Sequence, residues 1–244
     1  MGASIFIRMI TTPELLGLLA SYAYATGLLA FGELLWRKLR WPQSVTRKIV
    51  HIGAGMWVWA IPALFERWQI GLIPFASFIV INFLLYRFRV LDSMDAEDSS
   101  PGTIYFALAI TVLFVICWRP DGPLDRLPIA MAGIMALTWG DALAALVGQR
   151  WGAHRYRIGN STRSWEGSLT MLFVSLLAIA ITLLVLPGSS LSPYAPPIAT
   201  GTAVLVAVVA ACGATLAEAI SPHGLDNLAV PFTTAAIVFL ALPS

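Results

Sequence analysis

The chain has 244 residues, of which 58% are hydrophobic and only 11% charged, and its mean hydropathy is +0.80. So little charge excludes a soluble domain of this length, and most of the chain must have lipid as its solvent. A formal net charge of +2, with no long basic run, excludes a nucleic-acid partner.

The N-terminal stretch shows no cleavable signal pattern, because Pro13 and Glu14 lead straight into a long apolar run. Eight apolar segments then follow between polar breaks. They run roughly from Leu15 to Leu35, Ile49 to Leu64, Ile70 to Leu85, Ile104 to Trp118, Leu127 to Val147, Leu169 to Leu186, Ile198 to Ala217 and Leu228 to Leu242. Four approach the ~20 residues a spanning helix needs, while the second, third, fourth and eighth are short. The expectation is an all-α polytopic membrane bundle of seven to eight transmembrane helices, forming one domain over residues 1–244. The Pro- and Ser-rich stretch 187–197 reads as a solvent loop. Cys117 and Cys212 stand singly in apolar runs and read as packing residues.

Lysine and arginine give the orientation. With eight spans, the loops 36–48, 87–101, 149–164 and 220–227 lie on one side and carry 11 basic residues. The other side carries 4: Arg8, Arg67, Arg119 and Arg126. The richer side is expected to face the cytoplasm, with both termini outside.

Ionisable residues beside or within apolar spans are candidates for function, and here they fall on that same side. Arg47, Lys48 and His51 lie in "RKIVHIGAG", with Arg47 and His51 four apart on one helical face. Asp141 lies inside an apolar span, in "TWGDALAALVGQRWG"; a carboxylate there needs a partner, a proton or a metal ion. Glu166 opens a span in "STRSWEGS", where Ser164 is placed to cap the helix. Glu218 closes a span just before "SPHGLDNLAVP", which contains His223, Asp226 and Asn227. Gly148 and Gly152, spaced as GxxxG, suit close helix packing.

These groups suit phosphoryl or nucleotidyl transfer. One or two carboxylates can hold Mg²⁺ together with substrate phosphate oxygens, and Asp141, Glu166 and Glu218 are the expected ligands. Arg47, Lys48 and Arg163 can neutralise phosphates. Ser161, Ser164, Gly167, Ser168 and Asn227 complete a nucleotide-binding set through hydroxyl, amide and helix-start donors. No GxxxxGK[ST] loop or protein-kinase signature occurs. The rival reading of a proton- or cation-coupled transporter is opposed by the gathering of charge at one face and by the lack of a visible inverted repeat.

Taken in order, "RKIVHIGAG", Tyr105-Phe106, "GDALAALVGQRWG", "RSWEGS" and "SPHGLDNLAVP" after Glu218 resemble the motifs of the phytol kinase and dolichol kinase family. The resemblance covers about Arg47 to Pro231, and the length is similar to the phytol kinase branch. It implies a multispanning enzyme that uses CTP and a divalent cation, Mg²⁺, to phosphorylate an isoprenoid alcohol such as phytol or geranylgeraniol. His51 or Asp226 would accept the alcohol proton, with Asp141 at the reacting phosphate. Two departures stand out. Arg163 takes the place of a usual lysine. The related CDP-diacylglycerol synthases carry Lys-Arg and Asp-Arg pairs that "AEAISPHGLDNLAVP" lacks, which favours kinase over phosphatidate cytidylyltransferase.

Overall fold

Every apolar segment lies on helix in the computed structural model, which describes residues 10–88, 101–120, 125–159, 161–222 and 224–242. The helices are α1 (Thr12–Arg37), α2 (Gln43–Met56), α3 (Trp68–Phe88), α4 (Gly102–Cys117), α5 (Leu127–Trp151), α6 (Trp165–Val185), α7 (Thr200–Ile220) and α8 (Asp226–Ala241). Five of them, α1, α3, α5, α6 and α7, are long and apolar enough to cross a membrane. The chain is therefore an integral membrane protein by length and composition. Helices α4 and α8 are shorter, and α2 gives way to a tighter 3-10 turn over Trp57–Trp59. Length alone thus gives five spans where the sequence suggests seven to eight.

Local chemistry sets several of the ends. Thr11 caps α1 in a reciprocal box with Glu14, and Pro13 occupies the first turn, where a missing N–H costs nothing. Glu14 is buried and is held by Arg67, which precedes α3. Ser164 caps α6, its hydroxyl accepting from Gly167 N at 3.1 Å, as its place in the sequence suggests.

Helix α5 is the hub. Leu127 through Met135 are all buried, and the helix touches α2, α4, α6 and α8. By contrast, Leu169, Phe173, Leu177 and Ile181 form an outward stripe on α6, each at least half exposed. An apolar stripe turned outward at the i, i+4 spacing of one helical face is what lipid as solvent requires. Cys117 packs in the core, whereas Cys212 points outward, so only the first fills the expected packing role.

Small residues let the hub's neighbours approach. A Cβ on Gly133 would stand 2.5 Å from the carbonyl oxygen of Pro231 on α8. Gly148 faces the start of α6, where a Cβ would meet Ser164 Oγ at 3.1 Å, and one on Gly152 would meet the same atom at 2.7 Å. The GxxxG pair is thus the close-packing feature that its spacing suggests.

Two features depart from a plain bundle. Residues Ala136–Asp141 of α5 form a π-helical turn. Between α5 and α6 the chain makes a hairpin of β1 (Arg155–Ile158) and β2 (Ser161–Ser164), antiparallel, with Arg155 opposite Ser164 and Tyr156 opposite Arg163. Gly159 takes φ +56° beside the turn, a conformation that suits glycine.

Candidate active site

The start of α2, the end of α5, the hairpin, the end of α7 and the start of α8 wall one end of a cavity of about 550 Å³. The ionic groups of that end come from five separate elements. Arg47, Lys48 and His51 share one face of α2; Asp141 comes from the π turn, Arg163 from β2, Glu218 from α7, and Asp226 with Asn227 from α8. All of them line the cavity.

Lys48 reaches across 93 residues of sequence to Asp141, with Nζ donating to Oδ2 at 2.6 Å. The Asp141 side chain is 7% exposed and that of Lys48 22%. Such a pair neutralises a carboxylate that low-dielectric surroundings would otherwise penalise heavily. His51 Nε2 stands 4.0 Å from the same Oδ2 and 3.3 Å from the carbonyl oxygen of Leu137. Its ring also lies tilted against Phe106, centroids 4.5 Å apart.

Arg163 forms a second ionic centre. Its Nε stands 3.1 Å from Glu218 Oε1, though off the line a hydrogen bond needs. Its Nη2 donates to the carbonyl oxygens of Glu218 (3.3 Å) and Ser221 (3.4 Å), and to Asp226 Oδ2 (3.4 Å). Asp226 Oδ1 accepts from both nitrogens of Asn227, at 2.9 and 3.0 Å. Arg163 therefore ties the hairpin to the ends of α7 and α8.

Other members of the expected set take different positions. Glu166 does not line the cavity. It opens α6 on the outer side of the hairpin and accepts from His154, 2.7 Å from Nδ1 and 3.2 Å from the backbone N. Glu166 is thus absent from the wall that Asp141 and Glu218 share. Ser161 is buried and turns its hydroxyl toward the carbonyl oxygen of Ser221 at 3.5 Å. Ser164, Gly167 and Ser168 line the cavity; Ser168 Oγ is also 2.6 Å from Tyr156 OH. His223 lies outside the described residues.

The cavity adds residues that the sequence did not single out. Arg155 enters it from β1 and Gln149 from the end of α5, while Thr162, one of the hydroxyls of "STRSWEGS", lines it from β2. Arg155 and Arg47 both line the cavity and make no ion pair among the described residues. The pairing of Arg155 with Ser164 is the signal for the first, and it exists only once the hairpin register is known. Away from the ionic end the lining becomes Tyr24, Leu28, Trp57, Phe75, Phe78 and Ile110. One cavity thus joins a charged head to an apolar, aromatic trough.

The donor chemistry suits a hard cation. Carboxylate oxygens of Asp141, Glu218 and Asp226 share the wall, with no thiol among the lining residues. Among the described residues no three acidic, His or Cys side chains stand together as a cage. Magnesium held by one or two carboxylates, water and phosphate needs no such cage.

Comparison with known proteins follows the same line. No protein-family model and no solved structure matches the chain. It is 38% identical over 229 residues to a phytol kinase of Synechocystis sp., covering 91% of this chain and 89% of that one. It is 27% identical over 221 residues to a probable chloroplastic phytol kinase of Glycine max, covering 88% and 70%. A chloroplastic farnesol kinase of Arabidopsis thaliana is 30% identical over 150 residues, 56% of this chain and 46% of that one. On the first of these similarities, which covers nearly the whole chain, the chain belongs to the phytol kinase family.

Proposed function

We propose that the chain phosphorylates an isoprenoid alcohol, most simply phytol or geranylgeraniol, with CTP as donor and Mg²⁺ as cation. The observation that carries this reading is the single cavity with an ionic head and an apolar trough, which suits a phosphate-bearing donor meeting a lipid alcohol. The names of the relatives support the acceptor class; CTP and Mg²⁺ rest on the motif resemblance and on the donor set.

In this reading Arg47 and Arg155 take the polyphosphate, with the capped start of α6 and the hydroxyls of Thr162 and Ser164 as further donors. Asp141 and Glu218 are the residues to hold Mg²⁺, which when bound neutralises charge on the phosphates. The alcohol oxygen attacks the γ-phosphorus in line, the bond from that phosphorus to the β–γ bridging oxygen breaks, and CDP leaves. The hydroxyl proton passes to His51. Between His51 and Asp226, the histidine is favoured because both Asp226 oxygens already accept bonds from Arg163 and Asn227. If His51 Nε2 carries the hydrogen that Leu137 accepts, Nδ1 keeps its lone pair for the proton. The charge asymmetry of the loops supports an orientation with this end of the cavity toward the cytoplasm.

The test is product analysis. Purified protein is incubated with labelled CTP, Mg²⁺ and, in turn, phytol, geranylgeraniol, farnesol and diacylglycerol. The expected products are CDP and a prenyl monophosphate, lost with EDTA and restored by added Mg²⁺. Pyrophosphate with a CDP-lipid would instead establish a cytidylyltransferase.

A further inference from the structure

Helices α1 to α4 wall the apolar part of the cavity, and the seams between them are closed to different degrees. The α1–α2 seam is tight. A Cβ on Gly32 would stand 2.8 Å from Val50, one on Gly53 would stand 2.6 Å from Leu28, and the Tyr24 hydroxyl donates to the Gly53 carbonyl at 2.9 Å. Between α2 and α4 the rings of His51 and Phe106 meet. Between α3 and α4, Asn82 Nδ2 donates to the Thr103 carbonyl at 3.1 Å.

The α1–α3 seam differs. Helix α1 runs toward the ionic end, since Gly32 packs on Val50 and Thr46 near the start of α2. Helix α3 runs the same way, since Asn82 reaches the start of α4. The two are joined in their first halves: Tyr22 OH and Ser77 Oγ share a hydrogen bond at 2.8 Å, and the Tyr22 ring meets Phe78 edge-on. From there burial stops on both. The described residues 22–31 of α1 and 76–88 of α3 include none that is buried, whereas Gly17 and Ser21 before the first stretch are, and so are Pro74 and Phe75 before the second. Yet both stretches line the cavity, through Ala25 and Leu29 on α1 and through Phe78 and Asn82 on α3, all half-buried. Helices that face a cavity on one side and lipid on the other, with nothing packed over their edges, are the jambs of an opening.

Length points the same way. Along α3 the trough runs from Phe75 to Asn82, about 10 Å of helix rise. Phe75 is backed by the Phe114 ring, centroids 5.8 Å apart. An extended phytyl or geranylgeranyl chain is longer than that trough, so one whose hydroxyl reaches the ionic end must leave sideways.

We propose that the second halves of α1 and α3 frame a lateral slot, through which the prenyl alcohol slides hydroxyl-first from the bilayer while its tail stays in lipid. The inference rests on the prenyl-alcohol reading above and adds the route of the acceptor. Such a route never takes the chain through water, where its apolar surface would be costly to expose. Ala25 and Leu29 on one side, and Phe78 and Asn82 on the other, are its edges.

The experiment places wild type, Ala25→Trp, Leu29→Trp and Leu177→Trp in phosphatidylcholine vesicles with CTP and Mg²⁺. Leu177 lies on the outward stripe of α6 and controls for the added indole. The quantity read is the ratio of kcat/KM for geranylgeraniol to that for prenol, a single-isoprene alcohol short enough to arrive from water through the ionic end. Ala25→Trp and Leu29→Trp narrow the slot and are expected to lower this ratio at least tenfold with the KM for CTP unchanged, and Leu177→Trp to leave it at the wild-type value. Wild-type ratios in the folded slot variants would overturn the slot. A second arm uses wild type alone, with geranylgeraniol carrying a diazirine at the far end of its tail. Phospholipid and the peptides of α1 and α3 are expected to take the photolabel; a label on the buried stretch Leu127–Met135 of α5 instead would put the tail inside the core and overturn the slot whatever the variants do. A wild type that phosphorylates neither alcohol would overturn the prenyl-alcohol reading itself, a separate result.

Discussion

Arg163 and Asp141 show how much a single side chain carries at the ionic end. Arg163 reaches four acceptors on α7, α8 and the segment between them, so its removal has two consequences. It takes a cation from the cavity, and it leaves the Glu218 and Asp226 carboxylates facing each other without their shared partner. A charge-assisted contact is worth on the order of 1.5–3 kcal/mol, roughly ten- to a hundredfold in affinity. Arg163→Ala is expected to raise the KM for CTP by that factor while changing the KM for the alcohol much less, as saturation curves in both substrates will read. Arg163→Lys restores the charge but not the planar fork that meets several acceptors, so partial recovery is expected. For Asp141→Asn the expectation is loss of turnover by at least a hundredfold with the fold retained. The amide keeps the size and hydrogen-bonding capacity of the carboxylate, and Lys48 is exposed enough to hydrate. Activity together with thermal unfolding in detergent checks both halves; a folded variant with wild-type turnover would make Asp141 a structural residue.

The elements were legible to different degrees, for identifiable reasons. Long apolar runs with polar breaks are written locally, and all but the second became helix within a few residues of their expected bounds; the run from Ile49 to Leu64 instead breaks at a 3-10 turn after Met56. The cap at Ser164 and the packing role of Gly148 and Gly152 are also local signals. The hairpin was not legible, because "RYRI" and "STRS" lack the alternation of a half-buried strand and are held by their ladder and by Arg163. The Lys48–Asp141 pair spans 93 residues and leaves no trace in either motif alone. Helix packing itself yields a test with two opposite signs. Gly133→Ala drives a Cβ toward the rigid backbone of Pro231 and is expected to destabilise the protein by about 1–3 kcal/mol. Gly27→Ala, with nothing within 4 Å of the added atom, is expected to be neutral or to stabilise by about 0.4–1 kcal/mol. Thermal unfolding of both variants in one detergent decides, and equal shifts would contradict the packing.

At the scale of the whole molecule, the site is a meeting of chain segments at one end of the bundle, and that convergence was legible. Loops assigned to one membrane side by charge do supply the ionic residues of one cavity. The residues that line its apolar half were not legible, since aromatic residues in apolar spans look alike whether they face lipid, core or a channel. The orientation is testable directly. A cysteine at the exposed Ala153, in an otherwise cysteine-free variant, is expected to label only from the cytoplasm, and a reporter fused after Ser244 to read as extracytoplasmic. Labelling of Ala153→Cys from outside would reverse the molecule, and a cytoplasmic reporter would require an odd number of spans.

The π turn has an outcome that side-chain substitution cannot reach. Widening a helix by one residue loosens its i→i−4 ladder. Here the carbonyl of Leu137 accepts from His51, and that of Ala136 from Ser175 Oγ at 3.4 Å. The group that orients the histidine is thus main chain, and every amino acid at position 137 would supply it equally. Conventional mutagenesis scanned through 136–140 would register lost packing, because all of these but Trp139 are buried, and would leave the acceptor untouched. Replacing Thr138 by its α-hydroxy analogue, an amide-to-ester exchange, weakens the Leu137 carbonyl without changing its side chain, and it also removes the Thr138 N–H from the helix ladder. In the proposed mechanism, part of the acid–base machinery is therefore written in the path of the backbone, where an alphabet of side chains has no letter for it.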